Sequence, residues 1–164
     1  MILLTILLLP FISGLVVAFF KGTTSARNFA LVSAIVNLAL TIFLVTNPNT
    51  IGYSTEWINF MGIRFNLGAD GTSLVMILLS NLLFPFVILA GYGRSQKNVP
   101  MLNSLILCTQ AALNGVFLAQ NAFLFYVFWE LALIPVYFIL LVWGGNDRKA
   151  ITLRFFIYTL AGSL

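Results

Sequence analysis

The 164-residue chain is 61% hydrophobic and 7% charged, with a formal net charge of +4, no histidine and one cysteine. Because about a quarter of the residues of a soluble globular domain are charged, this composition excludes that class and indicates an integral membrane protein. The lack of histidine and of a second cysteine argues against disulfides, haem and histidine-ligated metals. The single thiol, Cys108, lies in an apolar run, and we assign it no chemical role.

Six apolar stretches follow one another along the chain and predict helices suited to crossing about 30 Å of hydrocarbon. Their approximate bounds are 2–20, 28–46, 72–92, 101–120, 122–143 and 151–164. The first stretch has no signal-peptide pattern, so we expect it to stay in the protein as a helix. The sixth stops at Leu164 before it could span a bilayer, and we therefore expect the chain to be the N-terminal part of a longer protein. The predicted fold class is all-α, a polytopic transmembrane helix bundle.

The segment 47–71 is the one sizeable stretch predicted to lie outside the membrane. Alternation of apolar and polar residues from Ile63 to Leu67, after a possible turn at Met61 and Gly62, predicts a short external hairpin. Asp70 or Thr72 is expected to cap the third helix by accepting a hydrogen bond from an exposed backbone amide.

The basic residues occur singly between the apolar stretches rather than in a patch, which indicates membrane topology and no nucleic-acid binding. The first, third and fifth loops carry them in pairs, namely Lys21 and Arg27, Arg94 and Lys97, and Arg148 and Lys149. The second and fourth loops together carry only Arg64. Since short loops rich in lysine and arginine stay on the cytoplasmic side, the pattern predicts a multi-pass protein with its N-terminus outside.

Polar residues recur at helical spacing on two of the predicted helices. They are Ser33, Asn37 and Thr41 on the second helix and Asn103, Gln110 and Asn114 on the fourth. Each set falls on one face. We expect most of these side chains to join helices through hydrogen bonds within the membrane.

Glu130 lies near the middle of the fifth predicted helix, in the apolar run of residues 125–138. A charged side chain at the centre of a membrane helix costs about 2.5–3.5 kcal/mol on insertion scales, and an intramembrane carboxylate therefore indicates a functional site. Its chemistry favours a proton or cation pathway. A carboxylate that is permanently protonated or permanently paired, and that only fixes helix packing, is the structural alternative.

Three neighbours support a relay role for Glu130. Tyr126 and Tyr137 share its helical face, so their phenols are predicted to hydrogen-bond the carboxylate or to order water beside it. Pro135 has no amide hydrogen and crowds the carbonyl of Leu131, so we expect a kink and a polar, water-accepting spot there.

Arg154 lies about one turn inside the sixth helix, where its side chain is expected to extend to the cytoplasmic edge, and a role in the proton path is the alternative.

Several motifs of residues 125–163 closely resemble the subunit M family of bacterial NADH-quinone oxidoreductase, the counterpart of mitochondrial chain 4. They are Phe128-Trp129-Glu130-Leu131, Leu133-Ile134-Pro135-Val136-Tyr137, Trp143-Gly144 and Phe155-Phe156-Ile157-Tyr158-Thr159. The sequence Asp70-Gly71-Thr72-Ser73-Leu74 also resembles the family's entry into the third helix.

This resemblance implies an antiporter-like, proton-translocating subunit of respiratory complex I in the bacterial cytoplasmic membrane, with the other membrane subunits as partners. It implies no redox cofactor in this chain, since NADH and quinone act elsewhere in the complex. Glu130 matches the family's essential carboxylate, whose partner lysine is expected beyond Leu164. Arg154 stands at a basic position of the family but does not readily release a proton.

Two other functions remain open at this stage. Homologous chains of multisubunit cation/proton antiporters and membrane-bound hydrogenases share the helix that carries the glutamate. A scaffold, in which Glu130 only fastens one helix to another, is the alternative without transport.

Overall fold

The computed structural model describes residues 1–47, 52–58, 63–93 and 96–163. Within these residues the chain forms six helices and one two-stranded sheet. In chain order they are α1 (Ile2–Ala18), α2 (Thr23–Thr46), β1 (Gly52–Ile58), β2 (Ile63–Gly68), α3 (Gly71–Ala90), α4 (Val99–Leu118), α5 (Ala122–Trp143) and α6 (Arg148–Ser163). Helices α2 to α5 are long and apolar enough to cross a membrane, and α1 is an apolar helix of 17 residues. The predicted class, an all-α multi-pass bundle, is confirmed.

Helix α2 begins at Thr23 and α6 at Arg148, several residues before the apolar stretches that predicted them. Hydrophobicity marks where a helix meets the hydrocarbon, whereas the helix itself continues until capping or backbone conformation ends it. Gly22, with extended backbone, immediately precedes α2. Helix α4 begins at Val99 with Pro100 in its first turn, where a missing amide hydrogen breaks no helical hydrogen bond.

A connected set of buried hydrogen bonds, which we call the polar belt, joins the first four helices. It consists of Asn37, Thr41, Asn81, Gln110 and Asn114, all fully buried. Asn37 Nδ2 and Asn114 Nδ2 both donate to the backbone carbonyl of Ile6, at 2.9 and 3.0 Å. On the other side of the belt, Gln110 Nε2 donates to Asn81 Oδ1 at 2.8 Å and Asn81 Nδ2 donates to Thr41 Oγ1 at 2.8 Å.

A proline explains why a helical carbonyl is available to the belt. Pro10 lies inside α1 and has no amide hydrogen to donate to the carbonyl of Ile6, four residues earlier. In hydrocarbon that carbonyl needs another donor, and two asparagine side chains supply it. The expected joining of helices is thus confirmed for the polar residues of the belt that the sequence singled out. Asn103 is an exception, since it donates to the Val99 carbonyl of its own helix.

The hairpin closes one end of the bundle. Strands β1 and β2 pair antiparallel, and β2 lies against the loop between α4 and α5. There Gln120 N donates to the Asn66 carbonyl at 3.0 Å, and Asn121 Nδ2 donates to the Arg64 carbonyl at 2.8 Å. The predicted hairpin strands are therefore present, while the turn at Met61 and Gly62 lies outside the described residues. Asp70 caps α3 as expected, accepting from Ser73 N at 2.7 Å.

The opposite end of the bundle gathers the remaining loops. Trp143 Nε1 donates to the Lys97 carbonyl at 2.9 Å, which joins the end of α5 to the loop before α4. Tyr92 donates its hydroxyl hydrogen to Asn28 Oδ1 at 2.7 Å, joining the end of α3 to the start of α2. The helices thus alternate in direction, with the hairpin at one end and Lys97 with the starts of α2 and α6 at the other. Arg94, one of the predicted topology signals, lies outside the described residues.

Candidate functional site

Helix α5 presents Glu130 toward α6 at the edge of the bundle. Its start is fixed by Asn121, whose side chain accepts from Leu124 N at 2.7 Å. Its other face packs closely on α4, because a Cβ atom at Gly115 would collide with the ring of Phe128. Only three residues of α5 are fully buried within the described structure, namely Leu124, Ala132 and Pro135. The carboxylate-bearing face is therefore partly open.

The carboxylate of Glu130 is half-buried and is bonded across the α5–α6 contact. Ser163 Oγ lies 2.5 Å from Glu130 Oε1. The hydroxyl of Ser163 also lies 3.0 Å from the carbonyl of Leu160, one turn earlier on its own helix.

This arrangement can accommodate both protonation states of Glu130. A hydroxyl has one hydrogen to donate and lone pairs with which to accept. When Glu130 is charged, Ser163 donates to the carboxylate. When Glu130 is protonated, the acid donates to Ser163 Oγ and the serine hydrogen turns to the Leu160 carbonyl. Neither state leaves the pair without a hydrogen bond, so a proton can be taken up or released with little rearrangement.

A groove beside this pair opens between α5 and α6. It has a volume of 430 Å³ and is lined in part by Tyr126, one of the residues predicted to assist Glu130. Its lining comes from Phe125, Tyr126 and Trp129 of α5 and from Tyr158, Thr159, Gly162 and Ser163 of α6. Phenol and hydroxyl groups among these side chains make the groove a place where a polar partner or water can reach Ser163.

Tyr137 lies farther along the same face and packs on α6 by its ring. The centroids of Tyr137 and Phe156 are 5.1 Å apart at an angle of 61°, an edge-to-face arrangement. Among the described residues, the hydrogen bond to Glu130 comes from Ser163 and not from the phenols of Tyr126 or Tyr137. The two tyrosines are brought to the α5–α6 contact, but the predicted bond from phenol to carboxylate is not formed.

Pro135 faces away from Glu130. It is buried and lines an apolar groove of 460 Å³ between α1, α4 and α5, together with Leu131 and Phe128. The described side chains around Pro135 are apolar, so they do not form the polar, water-accepting spot that we expected there. Helix α5 is continuous through Pro135.

Arg154 is exposed on α6 and is not near Glu130. Since Ser163 meets Glu130 while Phe156 meets Tyr137, α6 runs antiparallel to α5. Arg154 lies nine residues before Ser163, which is roughly two and a half helical turns. Its position near the end that gathers Lys97 and the start of α6 agrees with a side chain that extends to the membrane edge.

Sequence reasoning missed the residue that bonds Glu130 and one member of the polar belt. Ser163 was not singled out, although Thr159, Gly162 and Ser163 fall on one face of α6 at helical spacing and mark a polar stripe. Asn81 was also missed. It lies beside Ser80 in the middle of α3, and two adjacent polar residues in an otherwise apolar stretch were a usable signal.

Comparison with known proteins identifies similar chains. A family model described as NADH:quinone oxidoreductase/Mrp antiporter, TM, matches residues 119–164, which contain Glu130, Arg154 and Ser163. The F(420)H(2) dehydrogenase subunit M of Methanosarcina mazei is 36% identical over 97% of this chain and 33% of its own length. The NAD(P)H-quinone oxidoreductase chain 4 1 of Thermosynechococcus vestitus is 34% identical over 98% of this chain and 32% of its own.

The architecture matches that of a solved membrane complex. A chain of the respiratory complex I from Thermus thermophilus with bound NADH superposes with a TM-score of 0.87 at 26% identity, covering 100% of this chain and 34% of that one. The present chain thus spans about a third of the length of the relatives it matches.

Proposed function

The chain belongs to the NADH:quinone oxidoreductase/Mrp antiporter family of membrane subunits, and on this premise we propose that it is part of a proton-translocating subunit of a respiratory NADH-quinone oxidoreductase. In this proposal electron transfer elsewhere in the complex drives protons through the subunit. Glu130 takes up and releases a proton during that cycle. The chain itself contributes no redox centre.

The observation that carries this proposal is the hydrogen bond between Glu130 and Ser163, whose serine lines an open groove between α5 and α6. A relay group needs a proton donor or acceptor within reach in each of its charge states. Ser163 supplies this directly, and the groove lets water or a polar partner reach Ser163.

The groove also has a place for a cationic partner. Within the described residues no lysine or arginine pairs with Glu130. The family resemblance puts a lysine on a later helix, and a helix seated against α5 and α6 would bring its side chain to the carboxylate. Approach of that lysine stabilises the charged form of Glu130 and its withdrawal favours protonation, which couples movement of the partner to proton transfer.

The proposed setting is the bacterial cytoplasmic membrane, with the N-terminus outside and the other membrane subunits of the complex as neighbours. The distribution of basic residues supports this orientation. Lys21, Arg27, Lys97, Arg148 and Lys149 lie at one end of the bundle, and Arg64 lies in the hairpin at the other. By the positive-inside rule the first end is cytoplasmic.

A second candidate function differs in the electron donor. The relative from Methanosarcina mazei carries the name F(420)H(2) dehydrogenase subunit M and is 36% identical. A membrane subunit of the same kind can serve complexes with different donors, since it does not bind the donor itself. The candidates separate by which reductant, NADH or reduced F420, supports quinone reduction by membranes that contain the assembled complex.

The experiment that tests the relay is proton pumping by membrane vesicles from cells in which the full-length protein carries Glu130→Gln. Glutamine keeps the shape and can still hydrogen-bond Ser163, but it has no titratable proton. We expect the complex to assemble, as checked on a native gel, while pumping and coupled quinone reduction fall at least tenfold. Glu56→Gln, which changes an exposed carboxylate of the hairpin, is the matched control and is expected to pump normally.

Normal pumping by the Glu130→Gln variant would show that Glu130 has only a structural role. If the variant assembles and pumps near the wild-type rate, the carboxylate is structural and the proton path lies elsewhere. If the variant fails to assemble, Glu130→Asp in the same vesicles decides, because a relay predicts partial pumping from the shorter acid. An assembled Asp variant without any pumping would argue against a relay at this position.

A further inference from the structure

The polar belt is incompletely satisfied, and the pattern of its leftover atoms points to a ligand. Three side-chain oxygens, Asn37 Oδ1, Gln110 Oε1 and Asn114 Oδ1, accept no hydrogen bond from any residue that the structure describes. All three side chains are fully buried. Buried amide oxygens are almost always hydrogen-bonded, since leaving one without a donor in an apolar interior is costly.

The identity of these atoms as oxygens follows from chemistry at the Ile6 carbonyl. A carbonyl can only accept, so both Asn37 and Asn114 must turn their amide nitrogens toward it. Their oxygens therefore point elsewhere. Exchanging oxygen and nitrogen in either side chain would place two acceptors in contact, and the assignment is fixed without reference to hydrogen positions.

The direction of the remaining bonds is fixed in the same way. Thr41 donates its only hydroxyl hydrogen to the backbone carbonyl of Asn37 at 2.9 Å. Thr41 Oγ1 must therefore act as the acceptor for Asn81 Nδ2. Asn81 then has its oxygen free to accept from Gln110 Nε2. Gln110 Oε1 is left over at the end of this chain.

The leftover set therefore consists of acceptors and calls for a donor. Within the belt no side chain is charged or titratable near neutral pH, because its members are asparagine, glutamine and threonine. A bare cation among neutral ligands in hydrocarbon would have no compensating charge. Water meets the need, since it donates two hydrogens and typically makes about three hydrogen bonds in protein interiors.

We propose that the polar belt is a binding site for internal water, with at least two molecules donating to Asn37 Oδ1, Gln110 Oε1 and Asn114 Oδ1. Two are required because one molecule has only two hydrogens for three acceptors. Ser33, buried one turn before Asn37 on α2 and without a hydrogen-bond partner among the described residues, provides a hydroxyl to donate to a water oxygen. The site is separate from Glu130 and does not depend on the proposed transport function.

The test is a cryo-electron microscopy map of the membrane complex that contains the full-length protein, at a resolution that shows ordered water. Two samples are compared, one in sodium salt and one in choline salt. We expect density at about 2.6–3.0 Å from at least two of the three oxygens in both samples. Density that appears only in sodium, at shorter distances, would mean a cation site and overturn the proposal.

Two variants sharpen the result. In Asn114→Leu the density nearest Asn114 is expected to disappear, whereas in Asn103→Leu it should remain. Asn103 is the matched control, because it is a buried asparagine of the same helix that bonds only within that helix. A wild-type map without density, or one in which a side chain from another part of the complex donates to these oxygens, also overturns the proposal. The wild-type map decides even if a variant does not fold.

Discussion

The polar belt and the Glu130–Ser163 pair are two ways of placing polar groups inside the same apolar bundle. The belt involves four helices, is fully buried and binds to a backbone carbonyl that a proline has released. The Glu130–Ser163 pair involves two helices, is half-buried and opens to a groove. A buried neutral network fixes geometry, whereas an open pair with one carboxylate can change its charge. The contrast agrees with a structural role for the first region and with the proton chemistry that we propose for the second.

The largest effect on stability is expected from removing both donors to Ile6. The double substitution Asn37→Leu with Asn114→Leu leaves that carbonyl unpaired in hydrocarbon and breaks two interhelical bonds, a loss of about 2–5 kcal/mol. We expect the protein to disappear from the assembled complex, as measured on native gels. Asn103→Leu should assemble normally. Normal assembly of the double variant would show that the belt is dispensable.

A smaller loss is expected from Thr41→Val, which keeps the shape of the side chain and removes its hydroxyl. Asn81 Nδ2 then lacks its acceptor, and about 1–2 kcal/mol of stability is lost. Thermal unfolding of the purified complex, compared with Thr109→Val, measures this. Thr109 bonds only the carbonyl of Leu105 in its own helix, so its replacement controls for loss of a helical hydroxyl. Equal shifts for the two variants would contradict a special role for Thr41.

Substitutions in the Glu130–Ser163 pair should lower proton pumping and leave stability unchanged. Ser163→Ala removes the hydroxyl that serves Glu130 in both charge states, and we expect proton pumping to fall roughly fivefold, about 1 kcal/mol, with assembly unchanged. Ser163→Thr, which retains a hydroxyl, should restore much of the rate. Thr109→Val on α4 is the control, since Thr109 donates to the carbonyl of Leu105 in its own helix and lies outside the groove. A defect in assembly without a pumping defect would place Ser163 with the structural residues.

The smallest effect concerns the cap of α3 at the aqueous boundary. Hydrogen bonds from the backbone amide and hydroxyl of Ser73 lower the pKa of Asp70 below its ordinary value of 3.8. The charged cap therefore stabilises the folded protein above that value, and the contribution is lost as the pH falls through the lowered pKa. Wild-type unfolding temperature should drop slightly more than that of Asp70→Asn between about pH 5 and about pH 3. Parallel pH profiles would contradict this contribution.

Helix order and membrane class followed from the sequence because both depend on local composition. Apolar length located all six helices, and strand-like alternation located the hairpin. Polar residues at helical spacing identified most of the belt. These features are encoded within single elements, and a window of one or two turns is enough to detect them.

Partners across helices could not be obtained in this way. Ser163 meets Glu130 only because α5 and α6 pack antiparallel in one register, and nothing local to either helix specifies that register. The polar spot expected beside Pro135 is not formed by the described side chains for a related reason. A proline releases a carbonyl wherever it occurs, but the neighbouring helices decide whether polar groups meet it. At Ile6 they do, whereas the side chains around Pro135 are apolar.

The two donors to the Ile6 carbonyl arrive at very different times during synthesis. Asn37 follows Ile6 by 31 residues and Asn114 by 108 residues. At about 5–20 residues per second, the first donor emerges within roughly 2–6 s and the second only after roughly 5–20 s. Helices α1 and α2 can therefore pair before α4 is made, joined by the bond from Asn37 to the Ile6 carbonyl. Until α4 arrives, Asn37 keeps the Ile6 carbonyl from being unpaired in the bilayer. Asn114 then adds the second hydrogen bond and joins α4 to the α1–α2 pair.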